Sequence, residues 1–302
     1  MTAPVRVAVP RKGRPLEAVL DRFAARADAT AVADDVVSTL RYEKAVAKGE
    51  QSDDRGVYDR LAAYSEPSNS HRPDFTLLRD ARAGKPRRIV FDSLTLDVDG
   101  TPVQLVGREE PFRALRTHEF ALGFDSADLV LEEVVELRPE PLTSIADVND
   151  RIDPVDTDVR VVSGLGDTVY HTLLATPSVQ RDVAAPELDR EFLAAYEGEI
   201  CISPRYERLV EAVLGTDATD GVSFVYPDGG REEEAAIADT GVGVYLTVTG
   251  STARDHGLDL GERLFPSETV LMENQCEADG EDVAAAKRAL ATEPTETAIP
   301  PQ

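Results

Sequence analysis

Thr249, Ser251 and Thr252 place three hydroxyls around Gly250 in the stretch Thr247-Val248-Thr249-Gly250-Ser251-Thr252-Ala253-Arg254. An apolar run, residues 242–248, precedes them, so the turn leaves a buried strand and leads into a turn of helix. Backbone N–H and side-chain O–H groups in such a turn can converge on a phosphate at a helix N-terminus. Arg254 follows closely enough to reach the same anion. Gly250 is expected to let the backbone come close to the phosphate, because a Cβ there would obstruct it. An ordinary polar turn shares this composition, and the stretch lacks the dinucleotide and P-loop fingerprints.

A second group is Arg11-Lys12-Gly13-Arg14, three cations and a glycine after the strand Val5-Arg6-Val7-Ala8-Val9. Ligands of open α/β sheets bind at such strand ends. A basic cap without a ligand is the alternative. Gly123-Phe124-Asp125-Ser126, at another strand end, adds a carboxylate and a hydroxyl. Ser203-Pro204-Arg205 adds a helix start suited to anions. Each of these last two carries little by itself.

The rest of the composition removes several classes of function. The 302 residues carry a formal charge of −25, and five of the 32 basic residues are lysines (Lys12, Lys44, Lys48, Lys85, Lys287). Acids are spread along the whole chain, as on a protein of a salt-rich cytoplasm, where a Debye length of roughly 3 Å makes self-repulsion tolerable. A binder of basic partners is the alternative. The 32 basic residues are outnumbered by 57 acids spread along the chain, so nucleic acid is not an expected partner. Cys201 and Cys276 cannot build a thiolate metal site, and the four histidines are scattered. No resident metal is expected; Mg²⁺ would arrive on a phosphate substrate. No apolar run approaches the roughly 18–20 residues of a membrane span. The first residues show no signal-peptide pattern, so a cytoplasmic protein without membrane association is expected.

The elements that would hold these residues alternate as in an α/β protein. Pro15 opens a helix whose Leu16, Val19, Leu20 and Phe23 share one face. Residues 41–75 read as a polar, irregular surface insertion with some helix around Tyr58–Tyr64. Strands are predicted at 88–91, 94–98 and 103–106, with Asp99-Gly100 as the turn between the last two. A helix over 111–117, a strand over 119–124 and a helix over 128–137 follow. Residues 138–158 read as a linker. A second α/β unit then takes strands near 159–162 and 168–172, a helix near 187–196, the strand 199–202, and a helix that Ser203 caps and Pro204 opens. The boundaries implied are a first domain over 1–150 with an insertion at about 40–90, and a second over 151–252. A return to the first follows over 253–280, then a short helix and disordered acidic tail over 281–302.

Taken in order, these segments resemble ATP phosphoribosyltransferase, the first enzyme of histidine biosynthesis. Val7–Leu16 is similar to that family's opening strand and K-G-R-L. Phe112–Asp128 is similar to its helix plus D-V-G-I-T-G-x-D, and Gly198–Pro204 resembles its G-x-x-I-A-T-x-x-P. Thr249-Gly250-Ser251-Thr252-Ala253-Arg254-Asp255-His256-Gly257-Leu258 resembles T-G-T-T-L-R-x-N-G-L, and Thr269–Asn274 resembles the family's returning strand. Residues 40–90 and much of 138–195 lie outside the resemblance. Pro15 interrupts K-G-R-L, Asp125-Ser126 replaces T-G, Tyr245 stands where the family has a second aspartate, and His256 replaces an asparagine.

The resemblance implies a two-domain α/β fold of the type II periplasmic-binding-protein-like kind, with an inter-domain cleft. It implies attack of N1 of ATP on C1′ of phosphoribosyl pyrophosphate, with Mg²⁺ bound to the substrate. Thr249, Gly250, Ser251, Thr252 and Arg254 would hold the 5′-phosphate. Lys12 and Arg14 would face the pyrophosphate or the ATP phosphates. Arg11, Gly13, Asp125, Ser126 and Ser203 would line the cleft. A homo- or hetero-oligomer is compatible with this picture. Two alternatives stay open: a non-catalytic binder of a small anion or nucleotide on the same fold, and a catalytically silent partner subunit.

Overall fold

The computed structural model describes residues 3–78, 87–183, 185, 187–227 and 232–291. The strands in chain order are β1 (Val5–Pro10), β2 (Asp74–Leu78), β3 (Arg88–Val98), β4 (Thr101–Arg108), β5 (Leu122–Ser126) and β6 (Val159–Gly164). They continue as β7 (Val169–Ala175), β8 (Gly198–Cys201), β9 (Val222–Val225), β10 (Val242–Thr247), β11 (Asp259–Ser267) and β12 (Thr269–Asn274). The helices begin with α1 (Arg14–Ala24), α2 (Thr30–Lys48), α3 (Val57–Tyr64), α4 (Pro111–Arg116), α5 (Ala127–Glu133) and α6 (Pro177–Asp182). They end with α7 (Arg190–Ala195), α8 (Glu207–Leu214), α9 (Thr216–Thr219), α10 (Glu233–Thr240), α11 (Ser251–Asp255) and α12 (Glu281–Leu290). Among the described residues no helix is long and apolar enough to cross a membrane.

The chain forms two compact units. The first takes residues up to Asp125, then Asp158–Leu165 and the stretch from Thr269; the second takes Ser126–Thr157 and Gly166–Glu268. In the first unit the sheet order is β2-β3-β4-β1-β5-β12-β6. β1 runs parallel to β4 and β5, while β12 and β6 are antiparallel to each other. In the second unit the order is β11-β7-β10-β8-β9, with β8 parallel to β9 and β10, and β7 antiparallel to both β10 and β11. Apart from the β2–β3 hairpin, both units follow one strand plan: three parallel strands beside an antiparallel pair. This is the duplicated α/β architecture of the type II periplasmic-binding-protein-like fold.

Helix α1 buries Leu16, Val19, Leu20 and Phe23, as their spacing requires. They join Val7, Val9, Phe91, Leu105 and Phe124 in the core of the first unit. The Asp99-Gly100 turn has positive φ at both residues, the geometry of a two-residue type I′ hairpin.

Several local expectations change. Residues 30–48 are one helix, whose Ala33, Val36, Leu40 and Glu43 face inward, and Gly49 ends it in the left-handed region at φ 76. The strands expected at 88–91 and 94–98 are one, β3. The segment 138–158 contains a 3₁₀ turn, Ile145–Arg151, that buries Ile145 and Val148. The strand expected near 159–162 is β6, and its pairing with β12 places it in the first unit's sheet. Strand β11, within the stretch read as a return to the first domain, pairs with β7 in the second. Helix α12 forms as expected, and the tail from residue 292 onward lies outside the described residues.

Candidate functional site

In the first unit the parallel strands β4, β1 and β5 end at one edge of the sheet. Arg11-Lys12-Gly13 leaves β1 there, and Asp125 lies one residue before the end of β5. Arg11 Nε donates to the Gly107 carbonyl at 3.2 Å, and its Nη2 lies 3.7 Å from Asp92. Lys12 Nζ lies 3.9 Å from Glu109. Both ion pairs are partly exposed, so an incoming phosphate could displace the carboxylates at little cost. Gly13 has φ 88, a conformation that a side chain would strain, and its carbonyl accepts the Glu17 N–H as α1 begins. Arg14 is the first residue of α1. Asp125 is buried, and its Oδ2 accepts the Phe112 N–H at 3.2 Å in the first turn of α4. One of its acceptor positions thus serves that helix.

The second unit begins at Ser126, which caps α5: its Oγ accepts the Asp128 N–H at 3.4 Å. At the carboxyl edge of this unit's parallel strands, the loop after β10 matches its expected setting between a strand and a helix start. Thr249, Ser251, Thr252 and Arg254 are exposed, while Gly250 and Ala253 are buried. Thr249 Oγ1 and Ser251 Oγ are 3.1 Å apart, and Arg254 Nη2 donates to the Thr249 carbonyl at 2.8 Å, closing the loop on itself. Gly250 sits at φ 68, and a Cβ built there would stand 2.0 Å from Leu260 Cδ2. The glycine is therefore required by its backbone conformation and by Leu260. Below the loop, Thr172 Oγ1 and Thr247 Oγ1 are 2.6 Å apart across the β7–β10 pair and fix the strand exit.

Ser203 follows β8 at the same edge. Its side chain makes no capping bond, contrary to expectation, because the chain first forms a 3₁₀ turn over Pro204–Tyr206 and α8 starts only at Glu207. Tyr245 on β10 donates its hydroxyl to Glu233 Oε2 at 3.1 Å. Burial first, then the Glu233 charge, push its phenol up to about 12. The Tyr245 hydroxyl on β10 is thus paired with a carboxylate of α10.

A buried polar group went unrecognised in the sequence. His171 Nε2 lies 3.1 Å from Asp128 Oδ1, and Ser267 Oγ donates to Asp128 Oδ2 at 3.0 Å. All three side chains are nine-tenths buried or more. With Asp128 ionised, Nε2 is the donor of this pair; Nδ1 has no partner among the described residues. The Tyr206 ring meets the imidazole edge-on at 5.0 Å. One helical turn beyond Asp128, Glu132 has a buried Oε1 without a hydrogen bond, and burial pushes its carboxyl up to about 7. The available signal was His171 alone in the apolar run of β7. Among the described residues no group of His, Cys, Asp or Glu is placed to hold a metal ion.

Two α/β units of one strand plan, each with a glycine-containing loop at its carboxyl edge, define a protein of the periplasmic-binding-protein-like class. Within that class the chain belongs to the halobacterial ATP phosphoribosyltransferase family, whose model matches residues 1–301. No curated protein matches the sequence. Among solved structures it is similar to the ATP phosphoribosyl transferase (HisG:HisZ) complex of Thermotoga maritima, at 14% identity and TM-score 0.42 over 95% of this chain and 96% of that one. It is also similar to YhfZ of Shigella flexneri, at 11% identity and TM-score 0.44 over 96% of this chain and 85% of that one.

Proposed function

We propose that the chain transfers the phosphoribosyl group of phosphoribosyl pyrophosphate to N1 of ATP. The N1 lone pair forms the new bond to C1′ as the bond from C1′ to the pyrophosphate oxygen breaks, and pyrophosphate leaves with the electron pair. The anomeric carbon becomes oxocarbenium-like in between, so catalysis consists of holding the 5′-phosphate and stabilising charge on the leaving group. No general base is needed, because N1 is already a nucleophile. The exposed Thr249, Ser251 and Thr252 hydroxyls and the Arg254 guanidinium would take the 5′-phosphate. Lys12 and Arg14 would take the pyrophosphate or the ATP phosphates, with Arg11 and Gly13 shaping that loop. Mg²⁺ bound to the substrate would neutralise part of the charge on the leaving pyrophosphate.

Beside the family membership, the observation that carries this reading is the loop between β10 and α11, with its hydroxyls exposed and its fold fixed from within. Tyr245 in place of a strand aspartate favours a second reading, a binder that closes on the same anions without transfer. Incubation with phosphoribosyl pyrophosphate, Mg²⁺ and ATP at high salt separates the two. Pyrophosphate release that depends on ATP is the expected result. Saturable binding without release would give first place to the binder.

A further inference from the structure

Within the 40–90 stretch, outside the residues assigned to phosphoribosyl transfer, lies a cavity of about 270 Å³ lined by Glu43, Val46, Ala47, Val57, Arg60 and Arg87. Helix α2 supplies Glu43, Val46 and Ala47 at i, i+3 and i+4, one helical face. Helix α3 supplies Val57 and Arg60, and Arg87 enters from the residue before β3.

The floor is a closed polar group. Arg60 forks onto Glu43, Nε to Oε1 at 2.7 Å and Nη2 to Oε2 at 3.0 Å, and both side chains are more than nine-tenths buried. Arg60 Nη1 donates to the Arg55 carbonyl at 2.8 Å, and the Tyr64 hydroxyl donates to Glu43 Oε1 at 3.1 Å. Each charge there is matched. Arg87 differs: its guanidinium carbon lies 5.6 Å from the Tyr58 ring centroid and it donates to the Tyr58 hydroxyl, but no carboxylate among the described residues pairs with it. The cavity thus presents a neutral floor, a wall of Val46, Ala47 and Val57, and one cation that no carboxylate among the described residues neutralises.

We propose that this cavity binds a small organic monocarboxylate, its apolar body against Val46, Ala47 and Val57 and its carboxylate on the Arg87 guanidinium. A cationic ligand gains nothing, because Glu43 is already committed to Arg60. An inorganic anion leaves the apolar wall uncovered. On a chain of net charge −25 the local excess of one positive charge also favours an anion at this place over its surroundings.

Calorimetric titration of the full chain with benzoate, benzamide and benzylamine tests this, since the three differ mainly in charge. Benzoate is expected to bind saturably, and the other two at least about tenfold more weakly. Arg87→Gln, at an exposed position, should weaken benzoate about tenfold without shifting the melting temperature. Ala47→Phe should fill the space and abolish binding. Failure of benzoate to bind, equal binding of benzoate and benzamide, or unchanged affinity in Arg87→Gln overturns the proposal. None of these outcomes bears on pyrophosphate release, so the two readings stand or fall separately.

Discussion

Leu260 occupies the space that a side chain at Gly250 would need: a Cβ at Gly250 would lie 2.0 Å from Leu260 Cδ2 and 3.0 Å from its Cγ. Together with φ 68 at Gly250, this makes the glycine a folding residue before it can be a binding one. Gly250→Val should therefore lower the melting temperature as well as any affinity.

The clean probe of the loop is Thr252→Ala, because Thr252 is exposed and its hydroxyl closes no contact of the loop described above. It should weaken phosphoribosyl pyrophosphate by about 1 kcal/mol, one neutral hydrogen bond, at unchanged melting temperature. Calorimetry on this variant beside Gly250→Val separates binding from folding. Unaltered affinity in Thr252→Ala would remove that hydroxyl from the phosphate site.

Asp128 is buried with His171 and Ser267 as partners. Removing the imidazole leaves a buried carboxylate short of its donor, which costs more than the bond itself was worth. His171→Leu should destabilise the chain by about 3 kcal/mol, and Ser267→Ala by about 1 kcal/mol. Denaturant titration measures both. A His171→Leu variant as stable as the parent would mean that Asp128 is neutral in the folded state.

Glu132 gives a pH dependence of definite sign. Burial raises its carboxyl from 4.5 to about 7, so between those values the folded chain keeps a proton that the unfolded chain has released. Stability from this group is fully present below 4.5 and lost as the pH rises through about 7. Glu132→Gln stays neutral and escapes that loss. The variant should out-melt the parent at about pH 8, and the difference should shrink towards about pH 5. A difference independent of pH would remove Glu132 as its source.

The net charge of −25 and the scarcity of lysine predict dependence on salt. Raising KCl from about 0.1 M to about 3 M shortens the Debye length from about 10 Å to below about 3 Å and should raise the melting temperature. A melt that stays put over that range would sink the halophilic reading of the composition.

Much of this structure could be read locally. The stripe Leu16, Val19, Leu20 and Phe23, the Asp99-Gly100 turn and the hydroxyl loop after β10 all depend on neighbours within one or two turns of chain. Helix α2 escapes because Glu43 sits on its buried face, where it breaks the apolar period; Arg60, seventeen residues on, and Tyr64 make that burial tolerable. The first-unit membership of β6 depends on β12, and the Asp128 cluster on a residue 139 positions away. Neither pairing leaves a trace in local spacing. Ser203 looked like a cap because its type fits, yet the 3₁₀ turn after it moved the helix start to Glu207.

Arg14 and Thr252 belong to different units, at the start of α1 and within α11. Arg14→Ala should weaken phosphoribosyl pyrophosphate by about 1.5–3 kcal/mol, the scale of a charge-assisted hydrogen bond. Combined with Thr252→Ala, the losses should add if the two side chains hold different phosphates of the substrate. Calorimetry on the two single variants and the double variant reads this out, with ATP titrated separately. An Arg14→Ala chain that binds phosphoribosyl pyrophosphate normally but loses ATP would assign the basic loop to the nucleotide. One that binds both normally would leave Arg14 outside the site, and the pyrophosphate would then need another cation.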